Sequence, residues 1–393
     1  MVSENHLAIH NKKLQQMIRY FTSGESHGPS LTGIVEGMPA GVRITEDAIA
    51  FHLARRQQGY GRGGRMAFEK DRATLLSGVR FGVTTGAPVA LGMENRAYLK
   101  DDSQWPKVMA KEGDGEGIEK ITLPRPGHAD LTGLQKYRFD DIRPVIERSS
   151  ARETAMRVAC CSLARLFLKE LGIEIGGHML TIGSAGYGSW DEVREKTASF
   201  LDGRGAGAPS AGVPGAEALM HAADQSDVRC LDSTIGEAMR EEIKRIRKAG
   251  SSLGGIYEIV VTGLPPGLGS YVHYDRKLDG LLAQAILSTQ AMKGVEFGLG
   301  FESGRRPGHE VHDEIVYGDG RPEGDTGGNP EGNTGDSSKS FGRSSDKSGG
   351  LEGGMTTGMP LILRGVMKPI PTMLKPLQTV DIETKTAQPT HYE

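Results

Sequence analysis

Fifty-six of the 393 residues are glycine, roughly twice the usual share of about 7%. A chain this rich in glycine either turns very often or lets its backbone approach a ligand closely at many points. Both readings favour short secondary-structure elements joined by shaped loops. The loops are therefore where chemistry is to be sought.

Other features narrow the class. Hydrophobic residues at 37% and charged residues at 25% suit a globular protein, neither disordered nor membrane-embedded. No stretch approaches the ~18 apolar residues of a membrane span. Residues 1–16 are polar and lack the pattern of a secretory signal. A net charge of −3 argues against general nucleic-acid binding. Of three cysteines, Cys160 and Cys161 are adjacent, which fits neither a disulfide framework nor zinc-ligand spacing. A reducing, cytoplasmic setting is expected.

Residues 1–17 read as a loose extension. Strands are expected at 19–23 and 30–36 around a Gly24-Glu25-Ser26-His27-Gly28 turn. Thr45 reads as the cap of a helix with Glu46 and Asp47 in its first turn and Ile49 and Leu53 on one face, ended by Gly59. Further strands are expected at 75–79, 89–93, 173–182, 256–262, 295–301 and 360–366. The clearest helix spans 151–171, with Val158, Cys161, Ala164, Leu168 and Leu171 as its apolar stripe. Other helices are expected at 234–248 and 275–288. Residues 101–119 read as a charged surface excursion, and 199–215 and 318–342 as long mobile loops. Strands and helices mix without strict alternation, which favours an α+β fold.

Residues 55–65 hold Arg55, Arg56, Arg62 and Arg65 among glycines, with no acid. Arginine forks bind carboxylate or phosphate with paired hydrogen bonds. A small polyanion, RNA and plain solvent all remain possible occupants, although Tyr60 alone offers little stacking for RNA. His27 and His128 each lie in a glycine-flanked polar turn and suit proton transfer near neutral pH. His309 and His312 lack a third ligand, so no metal site is expected. Ser149 or Ser150 reads as the cap of the 151–171 helix, whose first N–H groups would suit a phosphate. No Walker, dinucleotide-fingerprint or G-x-S-x-G pattern occurs.

Taken together, these motifs resemble the chorismate synthase family. The carriers are Gly24 to Pro39, Glu147 to Val158, the arginine-glycine loop, Arg125-Pro126-Gly127-His128-Ala129-Asp130, Gly349 to Met355, and Lys368 to Thr372, all in the family's order. The resemblance covers about residues 18–393, read as a single catalytic domain. It implies a β-α-β sandwich, two antiparallel sheets around a helical layer, assembled as a homotetramer. It implies anti-1,4-elimination of phosphate from 5-enolpyruvylshikimate 3-phosphate to give chorismate, the last step of the shikimate pathway, with reduced FMN required and no net redox change. Arg56, Arg62 and Arg65 would bind the substrate or NADPH. Arg148, Ser149, Ser150, Gln290, Ala291, Gly353, Lys368, Pro369, Ile370, Pro371 and Thr372 would bind FMN. His27 would protonate the departing phosphate, and His128 would lie near the flavin ring.

Some positions depart from the family pattern. Cys161 stands where glycine or alanine is usual, Asp346 stands for a common asparagine, and the 318–342 insertion is long. The family's third signature, an Arg-Ser/His-Asp-x-Cys stretch, would begin just after Glu393. These 393 residues alone are therefore expected to bind flavin weakly and turn over little. The alternative is a non-catalytic FMN-binding or oligomer-forming scaffold.

Overall fold

The computed structural model describes residues 17–62, 70–201, 215–318 and 340–390. Arg65, most of the 1–17 extension, and positions 202–214 and 319–339 of the two expected mobile loops lie outside the described residues. The chain divides into two compact units. One comprises Met1–Gln58, Gly63–Thr122 and Ala129–Glu170; the other comprises Gly59–Arg62, Leu123–His128 and Leu171–Glu393. Mixed helices and antiparallel sheets make the protein α+β.

The first unit is built on a four-stranded sheet. β1 (Arg19–Gly24) and β2 (Ser30–Glu36) form a hairpin; β3 (Thr74–Leu75) and β4 (Val89–Glu94) complete the order β1-β2-β4-β3. Alternation along β2 buries Leu31, Gly33 and Val35 on one face. That face carries the long helix α3 (Glu153–Glu170), and α1 (Glu46–Gln57) packs against α3, with Ile49 and Leu53 in the same buried cluster. Thr45 caps α1 by accepting from the Ala48 N–H.

The apolar face of α3 differs from the expected stripe. Ala155, Met156, Ala159, Cys160 and Leu163 are buried, whereas Cys161 and Leu171 are exposed. The reason lies in β2. A Cβ on Gly33 would stand 2.5 Å from Cys160 Sγ and 2.7 Å from Met156 Sδ, so the helix rests on the strand where there is no side chain. Small and sulfur-bearing residues follow that contact, and the periodicity of the larger aliphatics does not reveal it.

The helix also starts later than expected. α2 (Arg143–Ser149) precedes it, so Arg148 and Ser149 end one helix and do not open another. Ser150 does cap α3: its hydroxyl accepts from the Arg152 N–H and its carbonyl from the Glu153 N–H. Those first N–H groups are thus taken by the chain's own turn, and the phosphate site expected there is not formed by them. The expected 75–79 strand is likewise two pieces, Thr74–Leu75 and Val79–Arg80, in different sheets.

The second unit centres on a five-stranded antiparallel sheet. Its order is Met292–Phe297, Leu361–Met367, Gly255–Thr262, Glu174–Ile182 and Ala185–Gly186. Helices Ala216–Asp224 and Ser233–Lys248 contact it, the latter capped by Asp232. The 295–301 expectation runs past the observed strand, because Gly298 and Gly300 turn the chain into a 3-10 helix. Helix Trp190–Leu201 takes in the first residues of the expected 199–215 loop. Leu278–Leu287 is a shorter helix than the 275–288 expectation.

A buried ionic group crosses this sheet. Glu258 accepts from His178 Nε2 at 3.1 Å and Arg364 Nε at 3.0 Å, and the Arg364 guanidinium lies 4.4 Å from the Trp190 ring centre. Burial pushes the Glu258 carboxyl up, but hydrogen bonds and charge from His178 and Arg364 outweigh it and hold the carboxyl below its ordinary value. A depressed carboxyl contributes stability above its unfolded value of about 4.3, and that contribution is lost as pH falls through the folded value. Glu258→Gln should therefore be less stable than the parent protein at pH 7. The gap should narrow steadily as urea unfolding is repeated from pH 5 down to pH 3.

Candidate functional site

In the first unit, the Gly24–Gly28 turn is held from several sides. Asn95, fully buried, donates from Nδ2 to the carbonyls of Glu25 at 3.1 Å and Gly28 at 2.7 Å. Arg148 donates to the carbonyls of Thr22 at 2.8 Å and Gly24 at 3.3 Å. The Ser26 and Ser150 hydroxyls lie 3.1 Å apart.

Within this clamp sits His27. Glu147 Oε1 lies 2.8 Å from its Nδ1, and Glu147 Oε2 accepts from its main-chain N–H at 2.7 Å. The Glu147 side chain is 3% exposed and the imidazole 26%. Burial pushes the Glu147 carboxyl up; the hydrogen bonds and charge of His27 overcome this and keep it below the ordinary carboxylate range. Trp105 stacks on the imidazole, with ring centres 3.9 Å apart and planes at 16°.

Arg56 belongs to the same unit. It donates to Thr154 Oγ1 at 3.0 Å and the Ala151 carbonyl at 3.0 Å, and it approaches Asp71 at 3.4 Å. Asp71 also meets Arg152 at 2.5 Å, and Arg152 donates to Asn95 at 2.9 Å. A continuous chain of polar contacts thus runs from Arg56 through Asp71, Arg152 and Asn95 to the His27 turn. Ser149 turns its hydroxyl onto the Val145 carbonyl of its own helix at 2.6 Å.

The second unit gathers a different set. The His128 N–H closes a turn on the Arg125 carbonyl, and Arg125 Nη2 lies 3.2 Å from His128 Nδ1. The Lys368 ammonium reaches the Gly127 carbonyl in that turn, while the Lys368 main-chain N–H donates to the Ala291 carbonyl at 3.0 Å. Ala291 holds φ +68°, a strained setting for a residue with a Cβ. The segment 368–372 is tied down by Ser252, which donates to the Ile370 carbonyl at 2.6 Å, and Ile370 stays exposed. Gly353 turns the Leu351–Thr356 hairpin at φ +60°, and nothing lies closer than 4.0 Å to where its Cβ would be. Gln290 precedes Ala291 in this set, and Arg62 is also in this unit. Asp346, the departure from asparagine, is buried and pairs with Arg194 at 2.7 Å.

The sequence-derived residues therefore fall into two sets. His27, Arg56, Arg148, Ser149 and Ser150 belong to the first unit; Arg62, His128, Gln290, Ala291, Gly353 and Lys368 to Thr372 belong to the second. Two residues at the His27 turn were not singled out from the sequence for a role of their own. Trp105 lies in the charged 101–119 stretch, and Glu147 read only as the start of a motif. A tryptophan in that charged stretch was the available signal.

A carboxylate-backed, part-exposed imidazole in an α+β chain, with arginines fixed in the same unit, is an arrangement suited to proton transfer. A family model described as chorismate synthase matches residues 18–393. The chain belongs to the chorismate synthase family. It is 50% identical over 378 residues to a chorismate synthase of Salinibacter ruber, covering 96% of this chain and 87% of the relative. With the chorismate synthase of Bacillus subtilis it shares 49% identity over 373 residues, covering 94% and 85%. A crystal structure of chorismate synthase superposes with a TM-score of 0.68 at 37% identity, covering 90% of this chain and 86% of that one. Family, relatives and solved neighbour agree on one enzyme activity, that of a carbon–oxygen lyase.

Proposed function

We propose that this chain converts 5-enolpyruvylshikimate 3-phosphate to chorismate by eliminating phosphate, with reduced FMN as the required cofactor. The observation that carries this reading is the family match over residues 18–393. The carboxylate-backed His27 supports it.

The residues of the second unit fit FMN by their chemistry. Lys368 is a cation whose ammonium reaches the Gly127 carbonyl and whose main-chain N–H donates to the Ala291 carbonyl, Ile370 offers an exposed apolar side chain, and Gly353 leaves open space. These residues, with Gln290 and Pro369 to Thr372, would hold the cofactor, and His128 would attend its ring. Arg148, Ser149 and Ser150 are kept as FMN-binding residues on the family resemblance alone. When bound, reduced FMN would supply transient electron donation to the allylic system with no net redox change.

The protein's own residues account for the rest. Phosphate departs more readily when a proton and fixed cations meet its growing charge. His27 supplies the proton. Arg56 is held by Thr154, Ala151 and Asp71, so its charge is already in place before substrate arrives. Arg62 and Arg65 complete the reading as binders of substrate or NADPH.

A homotetramer and a cytoplasmic setting belong to the same proposal. Helix Leu278–Leu287 is apolar yet has no buried residue, which suits a face covered in an assembly. Cys160, Cys161 and Cys230 are all free thiols. Among the described residues no helix is long and apolar enough to cross a membrane. The four-stranded and five-stranded sheets each carry helices, the layers that a β-α-β sandwich would need.

The test is anaerobic turnover followed by chorismate absorbance, with chemically reduced FMN in one arm and NADPH as sole reductant in the other. Chorismate and phosphate should appear in equal amounts in the first arm, and only slowly if flavin is held as weakly as the sequence leads one to expect. Activity in the second would assign flavin reduction to this chain as well. Flavin binding without product in either arm would favour the scaffold reading.

A further inference from the structure

The geometry around His27 assigns a role to a residue that the proposed function leaves unused: we infer that Glu147 is the positioning residue of the acid, fixing its tautomer and its ring, with Trp105 as the lateral support. This rests on the reading of His27 as the proton donor.

Three contacts from one residue hold two consecutive loop residues. The Glu147 carbonyl accepts from the Ser26 N–H at 3.0 Å, Oε2 from the His27 N–H at 2.7 Å, and Oε1 pairs with His27 Nδ1 at 2.8 Å. An ionised carboxylate can only accept, so Nδ1 must carry its hydrogen. The proton that His27 exchanges with a substrate is then the one on Nε2. The same logic gives the aspartate its place in hydrolase triads, where the carboxylate orients the imidazole without itself taking the proton. Here it arises from an unrelated arrangement, an α2 glutamate and a turn 120 residues earlier.

A second observation points the same way. Burying a carboxylate is costly unless its oxygens are matched. Glu147 is buried, and both oxygens are spent on His27. A residue needed only to join α2 to the turn could do so through the Ser26–Glu147 backbone bond and the neighbouring Arg148 contacts, with no buried charge. The indole of Trp105, parallel to the imidazole, resists rotation of the ring about its Cβ–Cγ bond. Its helix, Trp105–Val108, begins with Pro106 near its first position, which stiffens the approach. Carboxylate and indole therefore restrain the same imidazole in plane and out of plane.

Glu147→Gln keeps the shape and removes the charge. Its amide can donate to Nδ1 and so favours the opposite tautomer. We expect kcat to fall ~10- to 10²-fold, with KM for the substrate changed less than about threefold. In the background of His27→Ala, Glu147→Gln should cost nothing further, since it acts only through the ring. Trp105→Ala should also slow kcat, and Trp105→Phe, which retains a stacked ring, should be slowed less. As a readout on the parent protein itself, the 15N spectrum of histidine-labelled protein, with His27 assigned by the loss of its signal in His27→Ala, should show the Nδ1-protonated form where the ring is neutral.

A kcat for Glu147→Gln within twofold of the parent, a further loss in the double variant, or an Nε2-protonated ring in the parent would each overturn the inference. Those results leave His27 as the acid. Full turnover by His27→Ala removes the acid itself, and the inference with it.

Discussion

His27→Ala is expected to lower kcat at least ~10²-fold while leaving flavin affinity nearly unchanged. General acids contribute about 10² to 10⁴ in rate when they protonate a leaving group in the transition state. The phosphate of the substrate departs as an anion, so the loss should fall on kcat and not on KM. The imidazole is half-buried, its Nδ1 is occupied by Glu147, and its turn is fixed by Asn95 and Arg148. Such a preset group does not have to be ordered during turnover. Anaerobic steady-state kinetics with reduced FMN checks the expectation, and a variant within threefold of the parent would remove His27 from the mechanism.

Asp71→Ala should cost the fold about 3 to 5 kcal/mol, the typical penalty for leaving a buried charge without its partner. Asp71 and Arg152 are nearly inaccessible, at 1% and 6% side-chain exposure, and they meet at 2.5 Å. Arg56 leans on the same carboxylate at 3.4 Å. Two guanidinium groups therefore lose their common counter-charge in the variant. Urea unfolding at neutral pH should show a markedly lower midpoint with little change in slope. The effect should also reach function, because Arg152 orients Asn95 and Asn95 holds the carbonyls of the His27 turn. A stability loss below about 1 kcal/mol would mean that the network is less cooperative than its geometry implies.

The two expectations differ in how far the sequence alone could reach them. His27 was legible because its turn is a long ordered motif, and the hairpin around it follows from alternation along β2. The Asp71 network was not legible. Asp71, Asn95 and Arg152 come from separate segments, and nothing in spacing or periodicity joins an aspartate to an arginine 81 residues later. The partners of His27 were hidden for the same reason, since Glu147 and Trp105 reach the turn only through the fold. The phase of the α3 apolar face was misread because its packing partner is the absence of a side chain at Gly33. In the second unit, the family motifs pointed to Ala291, Lys368 and the His128 turn individually. Only the structure shows that Lys368 bonds to both of the others' segments.

On the proposed function, this chain expels phosphate from an enolpyruvyl shikimate ester with the help of a reduced flavin. The most direct measurement is 31P NMR of that ester mixed anaerobically with the protein and either reduced or oxidised FMN. The prediction is conversion of the ester signal to inorganic phosphate with the reduced cofactor and none with the oxidised one. An ester signal that persists beside bound, reduced flavin, or one that decays equally in both samples, would contradict it.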